Sequence, residues 1–158
     1  PIPIAFILHV MQVAGAEVLV AETIRRAGRR LRPVVVCLDR VGQLGEIMRG
    51  EGVEVIALDR RPGLDLGLSR RLAHELARRD TKVVHAHQYT PFFYAALAKP
   101  FIGHSVHLIL TEHGRHYPDV VSAKRRIANR LVLSRMADEV NAVAHFSARA
   151  LPEKDGFP

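Results

Sequence analysis

Short apolar runs alternate with segments of helical spacing along the whole chain. Most runs are continuous rather than alternating, which is typical of parallel strands covered on both faces. Each is about 4–8 residues long and rich in Val, Ile and Leu. They predict six strands: Ile4–Val10, Val34–Leu38, Val53–Leu58, Val83–Ala86, Val106–Leu110 and Val140–Val143.

The segments between the runs carry apolar residues at helical intervals. Ile127 and Leu131 continue this pattern in the last of them, with Arg126 and Arg130 displaced to another face. The strand–helix order predicts a Rossmann-like α/β domain, an open parallel sheet with right-handed crossovers and helices on both faces. The remaining helical signals are the row Ala16, Val20, Ile24 and Ala27, the row Leu68, Leu72 and Leu76, the segment Gln43–Gly50, and a helix with Pro91 in its first turn that runs to about Lys99.

Composition places limits on the class of protein. The chain of 158 residues is 48% hydrophobic, which suits one folded domain rather than a disordered chain. Cys37 is the single cysteine, so a disulfide scaffold is excluded and a reducing compartment is favoured. No apolar run approaches the ~18 residues of a membrane span, and Ile4–Met11 lacks the features of a signal peptide. We therefore expect a cytoplasmic protein.

The charge balance favours anionic partners. The formal net charge is +7 and the pI is about 10.3, which fits a nucleotide, a phosphate or an acidic lipid. No recognition helix or aromatic platform accompanies the charge, so nucleic acid is not expected. Arginine pairs recur on the predicted helices, where a solvated outer face is the ordinary interpretation and an Arg71–Glu75 helix pair is expected. Arg25 and Arg29 repel each other, and contact with an anionic membrane is the sharper hypothesis.

The first strand ends in a segment of small residues. Ligands of open α/β sheets bind beyond the carboxyl ends of the strands, at the switch point of strand order. There Gly15 and Ala16 open a helix whose free N–H groups favour an anion. A tight turn with Gly15 at an unusual φ is an equally open alternative. A complete dinucleotide fingerprint is absent.

Polar residues also follow the fourth and fifth strands. His85 and His87 are two residues apart, so their imidazoles share one side of an extended chain, and Gln88 comes next. Glu112-His113-Gly114-Arg115 follows the fifth strand. Two histidines spaced in this way at a strand end are also typical of amidohydrolase-type zinc sites, but those barrels need about 250 residues. A polar cleft wall of hydrogen-bonding histidines is therefore favoured.

Five segments in register resemble the retaining, family-four glycosyltransferases of GT-B fold. Ile4–Glu17 resembles the family's first strand and its G-G-A-E loop, although Ala14 replaces the first glycine. The other segments are Val83–His87, Thr111–Gly114, Ala137–Val143 and Gly156–Pro158.

The resemblance implies transfer of a sugar, of the hexosyl type, from a nucleotide-diphosphate donor to a sugar, lipid or small-molecule acceptor with retention. It implies that His113 is catalytic, that Gly15, Ala16 and Glu17 contact substrate, and that no metal or other cofactor is needed. The remaining substrate-binding candidates are His85, His87, Gln88, Glu112, Gly114 and Arg115.

The resemblance also bears on domain organisation. Residues 1–158 match the acceptor-side N-terminal half, and we expect the donor-binding C-terminal domain to lie outside this chain. This fragment alone is then expected to be inactive. Two alternatives stay open: a stand-alone module that binds an anionic or phosphorylated ligand, and half of a sugar-nucleotide epimerase of the same fold.

Overall fold

The computed structural model describes residues 1–114 and 122–157. All predicted strands are present, with bounds shifted by a few residues. They are β1 (Ile2–Val10), β2 (Leu31–Arg40), β3 (Glu54–Ala57), β4 (Val83–His87), β5 (His107–Glu112) and β6 (Glu139–Ala142).

The helices between these strands occupy the predicted segments, and a further helix, which was not predicted, follows β6. The connection after β3 ends at Asp65, because the next helix begins at Leu66. The helices are α1 (Gly15–Ala27), α2 (Gln43–Gly50), α3 (Leu66–Ala77), α4 (Tyr89–Ala98), α5 (Ala123–Ala128), α6 (Ser134–Met136) and α7 (His145–Ala150). A π turn, Asn129–Leu133, joins α5 to α6, so that 123–136 is one continuous helical segment, called here the basic helix.

One sheet contains all of these strands in the order β3-β2-β1-β4-β5-β6, and every neighbouring pair is parallel. The predicted Rossmann-like α/β class is therefore confirmed. The chain runs outward from β1 in one direction and then returns to place β4 on its other side. The switch point of strand order lies between β1 and β4, where ligands of such sheets bind.

A hydrophobic cluster packs against each face of the sheet. On the first face, Leu72 of α3 and Phe92 of α4 pack against strand residues such as Ala86. On the second face, Val20 of α1 and Met48 of α2 pack against β1 and β2. The right-handed crossovers place the helices before β4, β5 and β6 on the first face. The second face of those strands can therefore present polar side chains at its carboxyl end.

The basic helix departs from the ordinary amphipathic arrangement, in which the apolar row faces the core. Ile127 and Leu131 are 58% and 55% exposed. Asn129 and Leu133 are buried instead. Asn129 fits inside because its amide donates to the Asp155 carbonyl at 2.9 Å, so its polar groups are satisfied.

Carboxylates form ion pairs with most of the arginines that lie between α1 and β4. The expected Arg71–Glu75 pair is wrong, because Arg71 reaches back to Asp65 at 2.8 Å. Arg25 is not an unpaired cation, since its guanidinium donates to Glu51 at 2.6 Å. Among the described residues, every helix is too short or too polar to span a lipid bilayer.

Candidate functional site

Three imidazoles line the carboxyl edge of the sheet at the switch point. The rings of His85 and His87 lie 4.2 Å apart, as their spacing on one strand predicts. His87 Nδ1 lies 2.6 Å from His113 Nε2, so the end of β5 joins the cluster through a direct hydrogen bond. The Phe6 ring of β1 closes the other side at 5.6 Å from His85 and 6.1 Å from His87.

Burial keeps these imidazoles uncharged. Loss of hydration lowers the pKa of His85 to about 4, with a further contribution from His113. Burial and the two neighbouring imidazoles lower the pKa of His87 to about 2. Burial also lowers the pKa of the more exposed His113. The cluster is therefore neutral near pH 7 and works through hydrogen bonds.

The unequal surroundings of the two His87 nitrogens fix the direction of its hydrogen bond. His87 Nε2 is buried without a hydrogen-bond partner in the described part of the chain. A buried N–H without an acceptor is rarer and costlier than a buried acceptor without a donor. We therefore assign the proton to His87 Nδ1, which donates to His113 Nε2. The proton of neutral His113 then lies on Nδ1, which is left free to donate into the cleft.

A second polar chain runs across the same strand ends. His85 Nε2 lies 2.7 Å from Thr111 Oγ1, and the Thr111 hydroxyl donates to Asn141 Oδ1 at 2.6 Å. Sequence reasoning missed Thr111 and Asn141 as site residues. The signal was available, because polar residues at alternate positions near the ends of β4, β5 and β6 project from one face. This chain holds His85 against the sheet.

Gly15 opens α1 and leaves its backbone accessible. Its φ lies outside the left-handed region, so the alternative of a turn with unusual φ is wrong. A Cβ at Gly15 would meet no atom within 4 Å. Ala16 is buried and Glu17 lies in the first turn of α1. Neither the backbone angles nor packing inside the chain requires a glycine at this position. The free N–H groups of the first turn of α1 can bind an anion, and a glycine leaves them accessible.

Gln88 has a strained backbone directly after β4. Its φ of 73° and ψ of 168° lie in a region that is essentially restricted to glycine. Gly42 occupies the corresponding position before α2 with φ 76° and ψ 167°. The Gln88 backbone N–H donates to the Thr111 carbonyl at 2.9 Å, which ties the turn to β5. Such strain concentrates at functional sites.

The end of β5 supplies the remaining predicted site residues. Glu112 is buried, and its carboxylate accepts from the Gly114 N–H at 3.3 Å. Arg115 lies outside the described residues. Within residues 1–114 and 122–157, no group of three or more His, Cys, Asp or Glu side chains is placed to hold a metal ion.

Comparison with known proteins supports the fold and indicates a family. A model of the family described as Glycosyltransferase Family 4 matches residues 13–158. The chain is also similar to the crystal structure of a glycosyltransferase from Rickettsia africae ESF-5, with 16% sequence identity and a TM-score of 0.78. That similarity covers 99% of this chain and 40% of the other, so this chain spans less than half of that protein. No curated protein sequence matches.

Proposed function

The chain belongs to glycosyltransferase family 4, and from this premise we propose that it forms the acceptor-side domain of a retaining hexosyltransferase. The donor is a nucleotide-diphosphate sugar, and the acceptor is a sugar, a lipid or a small molecule. The donor-binding domain lies outside residues 1–158. The observation that supports this best is the neutral His113 ring, which is held by His87 at the switch point of the sheet.

Charge develops on the diphosphate as the donor's glycosidic bond breaks. The leaving diphosphate keeps both electrons of that bond. The acceptor hydroxyl oxygen bonds to the same face of the sugar, and its proton passes to the departing diphosphate oxygen. We propose that the first N–H groups of α1, at Gly15, Ala16 and Glu17, lie near the diphosphate or the acceptor. Partial positive charge at a helix start stabilises developing negative charge, and the open surface over Gly15 permits close approach.

His113 acts as a hydrogen-bond donor in this proposal. Its Nδ1–H contacts the transferred sugar or supports the reacting centre, and a neutral donor suits a site that must stay intact near pH 7. His85, His87, Gln88, Glu112, Gly114 and Arg115 line or position the acceptor side. No metal or other cofactor takes part.

We also propose a cytoplasmic location with peripheral contact to the inner face of the membrane. The excess of basic residues supports contact with acidic lipid.

The test of sugar transfer uses the full-length protein with a panel of nucleotide sugars and acceptors. His113→Ala should lower turnover by about a hundredfold or more. The variant should still fold, although it loses about 1–3 kcal/mol of stability because the buried His87 Nδ1–H loses its acceptor. His74→Ala is the matched control, since His74 is exposed on α3. Equal turnover of His113→Ala and the parent would remove His113 from the site.

Product analysis separates the proposal from its alternatives. A retained anomeric configuration in the product supports a retaining transferase. Conversion of the nucleotide sugar without any acceptor would identify an epimerase, and binding without turnover would identify an anion-binding module. Calorimetric titration of residues 1–158 should find at most weak binding of nucleotide sugars. Tight binding would contradict a donor site outside this chain.

A further inference from the structure

The single proton of the Thr111 hydroxyl fixes which nitrogen of His85 is protonated. The hydroxyl donates to Asn141 Oδ1 at 2.6 Å, and an amide oxygen has no proton to give in return. His85 Nε2 lies 2.7 Å from the same hydroxyl oxygen. Thr111 Oγ1 can only accept in this second contact, so the neutral ring of His85 carries its proton on Nε2.

The register of the sheet holds these three side chains together. Thr111 of β5 is paired with Asn141 of β6 on one side and with His87 of β4 on the other. His85 lies two residues before His87 and therefore on the same face of the strand. Thr111 is buried, so water cannot easily replace its hydroxyl as the partner of His85 Nε2.

The other nitrogen of His85 is an open hydrogen-bond acceptor. Nδ1 has no partner in the part of the chain that the structure describes and, unlike Nε2 of His87, it is not fully enclosed. Burial and the neighbouring His113 keep the pKa of His85 at about 4, so Nδ1 retains its lone pair near pH 7. The cleft therefore meets a lone pair on His85 and, close to it, the Nδ1–H that His113 offers.

A lone pair and an N–H side by side favour one kind of ligand group. A hydroxyl can donate to His85 Nδ1 while its oxygen accepts from His113 Nδ1–H. A phosphate or carboxylate oxygen has no proton to donate, so its lone pairs would face the lone pair of His85. This part of the site therefore favours an uncharged hydroxyl, although the chain as a whole has a formal charge of +7.

We propose that Thr111 is a positioning residue, which accepts from His85 Nε2–H and so makes His85 Nδ1 the acceptor for a hydroxyl of the acceptor substrate. This inference rests on the proposed sugar transfer, and it narrows the acceptor substrate to one that presents a hydroxyl, rather than a phosphate or carboxylate, at this point. His85 is too weak a base near pH 7 to remove a proton, so the bound hydroxyl is held in place and is not the one that reacts.

NMR of the full-length protein labelled with ¹⁵N-histidine tests the His85 tautomer without any substrate. Protonated and unprotonated imidazole nitrogens have well-separated shifts, and the His85 ring is identified by its absence from the spectrum of His85→Phe. At pH 7 the parent and Thr111→Ser should carry the proton on Nε2. In Thr111→Val the proton should move to Nδ1, because a buried N–H without an acceptor costs more than a buried lone pair.

Thr23→Val is the matched control, since it removes the same hydroxyl from an exposed position on α1. It should leave the His85 tautomer unchanged. A proton on Nδ1 in the parent, or an unmoved proton in Thr111→Val, would overturn the proposal. Neither result depends on whether the protein transfers sugar.

Kinetics test the hydroxyl contact, with the acceptor substrate that supports transfer in the assay described above. Thr111→Val should raise the KM for this substrate about tenfold with kcat within about twofold, and Thr111→Ser should stay near the parent. His113→Ala should instead lower kcat. A general loss of structure would not divide KM from kcat in this way, and an unchanged KM in Thr111→Val would overturn the contact.

Analogues of the acceptor substrate with one hydroxyl replaced by fluorine sharpen the test, because fluorine can accept but cannot donate. In the parent, one position should lose about tenfold in kcat/KM, and this loss should shrink in Thr111→Val. Equal losses in the two proteins would contradict donation to His85. Absence of transfer to every acceptor would count against the proposed function, while the NMR result would still decide the role of Thr111.

Discussion

Replacing Gln88 by glycine should stabilise the protein. Gln88 occupies backbone angles that only glycine adopts readily, and a non-glycine residue in this region costs about 1–3 kcal/mol. About 0.4–1 kcal/mol of that stabilisation is lost again, because glycine also gives the unfolded chain more conformational freedom. The net stabilisation of Gln88→Gly is then about 1 kcal/mol, or a rise of about 2–4 °C in the unfolding temperature.

Gln88→Ala is the matched control for this variant. It removes the same amide group but keeps the Cβ, and therefore keeps the backbone strain. Chemical and thermal unfolding should rank the glycine variant above the parent and the alanine variant at or below it. Equal stability of the two variants would refute the argument from backbone strain.

Enzyme kinetics on the same two variants test the purpose of the strain. The Gln88 side chain has no hydrogen-bond partner in the described part of the chain. If its amide binds substrate, both variants should raise KM by about five- to tenfold, the loss of one hydrogen bond. A stabilised glycine variant with unchanged kinetics would show that the amide has no role in binding.

Three further predictions concern burial and backbone geometry. The pKa values of His85 and His87 in the folded protein lie below the ordinary 6.5, so these side chains take up protons on unfolding. The free energy of unfolding should therefore fall from pH 6.5 to pH 4, by up to about 1.4 kcal/mol per pH unit for each histidine. Replacing both histidines by leucine should flatten this pH dependence in urea titrations. Gly42→Ala should destabilise the protein by about 2 kcal/mol or more, because the added Cβ would lie 2.6 Å from a backbone carbonyl oxygen. Gly52→Ala, at φ 86°, places its Cβ within 4 Å of no other atom and should cost about 1 kcal/mol. The denaturant midpoints of the two variants measure the difference. Burial raises the pKa of Cys37 to about 11, so thiol reagents should label it only after unfolding, and labelling of the native protein at pH 8 would contradict that burial.

The sheet could be predicted from sequence because its strands are continuous runs of apolar residues. Such runs mark strands covered on both faces, and the helices between them imply parallel crossovers. The pairing of His85 with His87 followed from strand periodicity in the same way. These features depend on near neighbours in sequence.

The remaining features depend on contacts between distant segments. The bond between His87 and His113 needed the register of β4 and β5, which pairs His87 with Thr111. The outward position of Ile127 was hidden, because a helical row of apolar residues looks the same whether or not a partner covers it. Asn129 takes the inner position only because a carbonyl of the C-terminal segment accepts from its amide.

The central place of β1 has a consequence for biosynthesis. One edge of β1 pairs with β2, but the other waits for β4, which begins 43 residues after β2 ends, from Arg40 to Val83. At about 5–20 residues per second, the ribosome leaves that apolar edge unpaired for roughly 2–9 s. Open strand edges recruit other chains, so β1 is exposed to misassembly on polysomes during that interval.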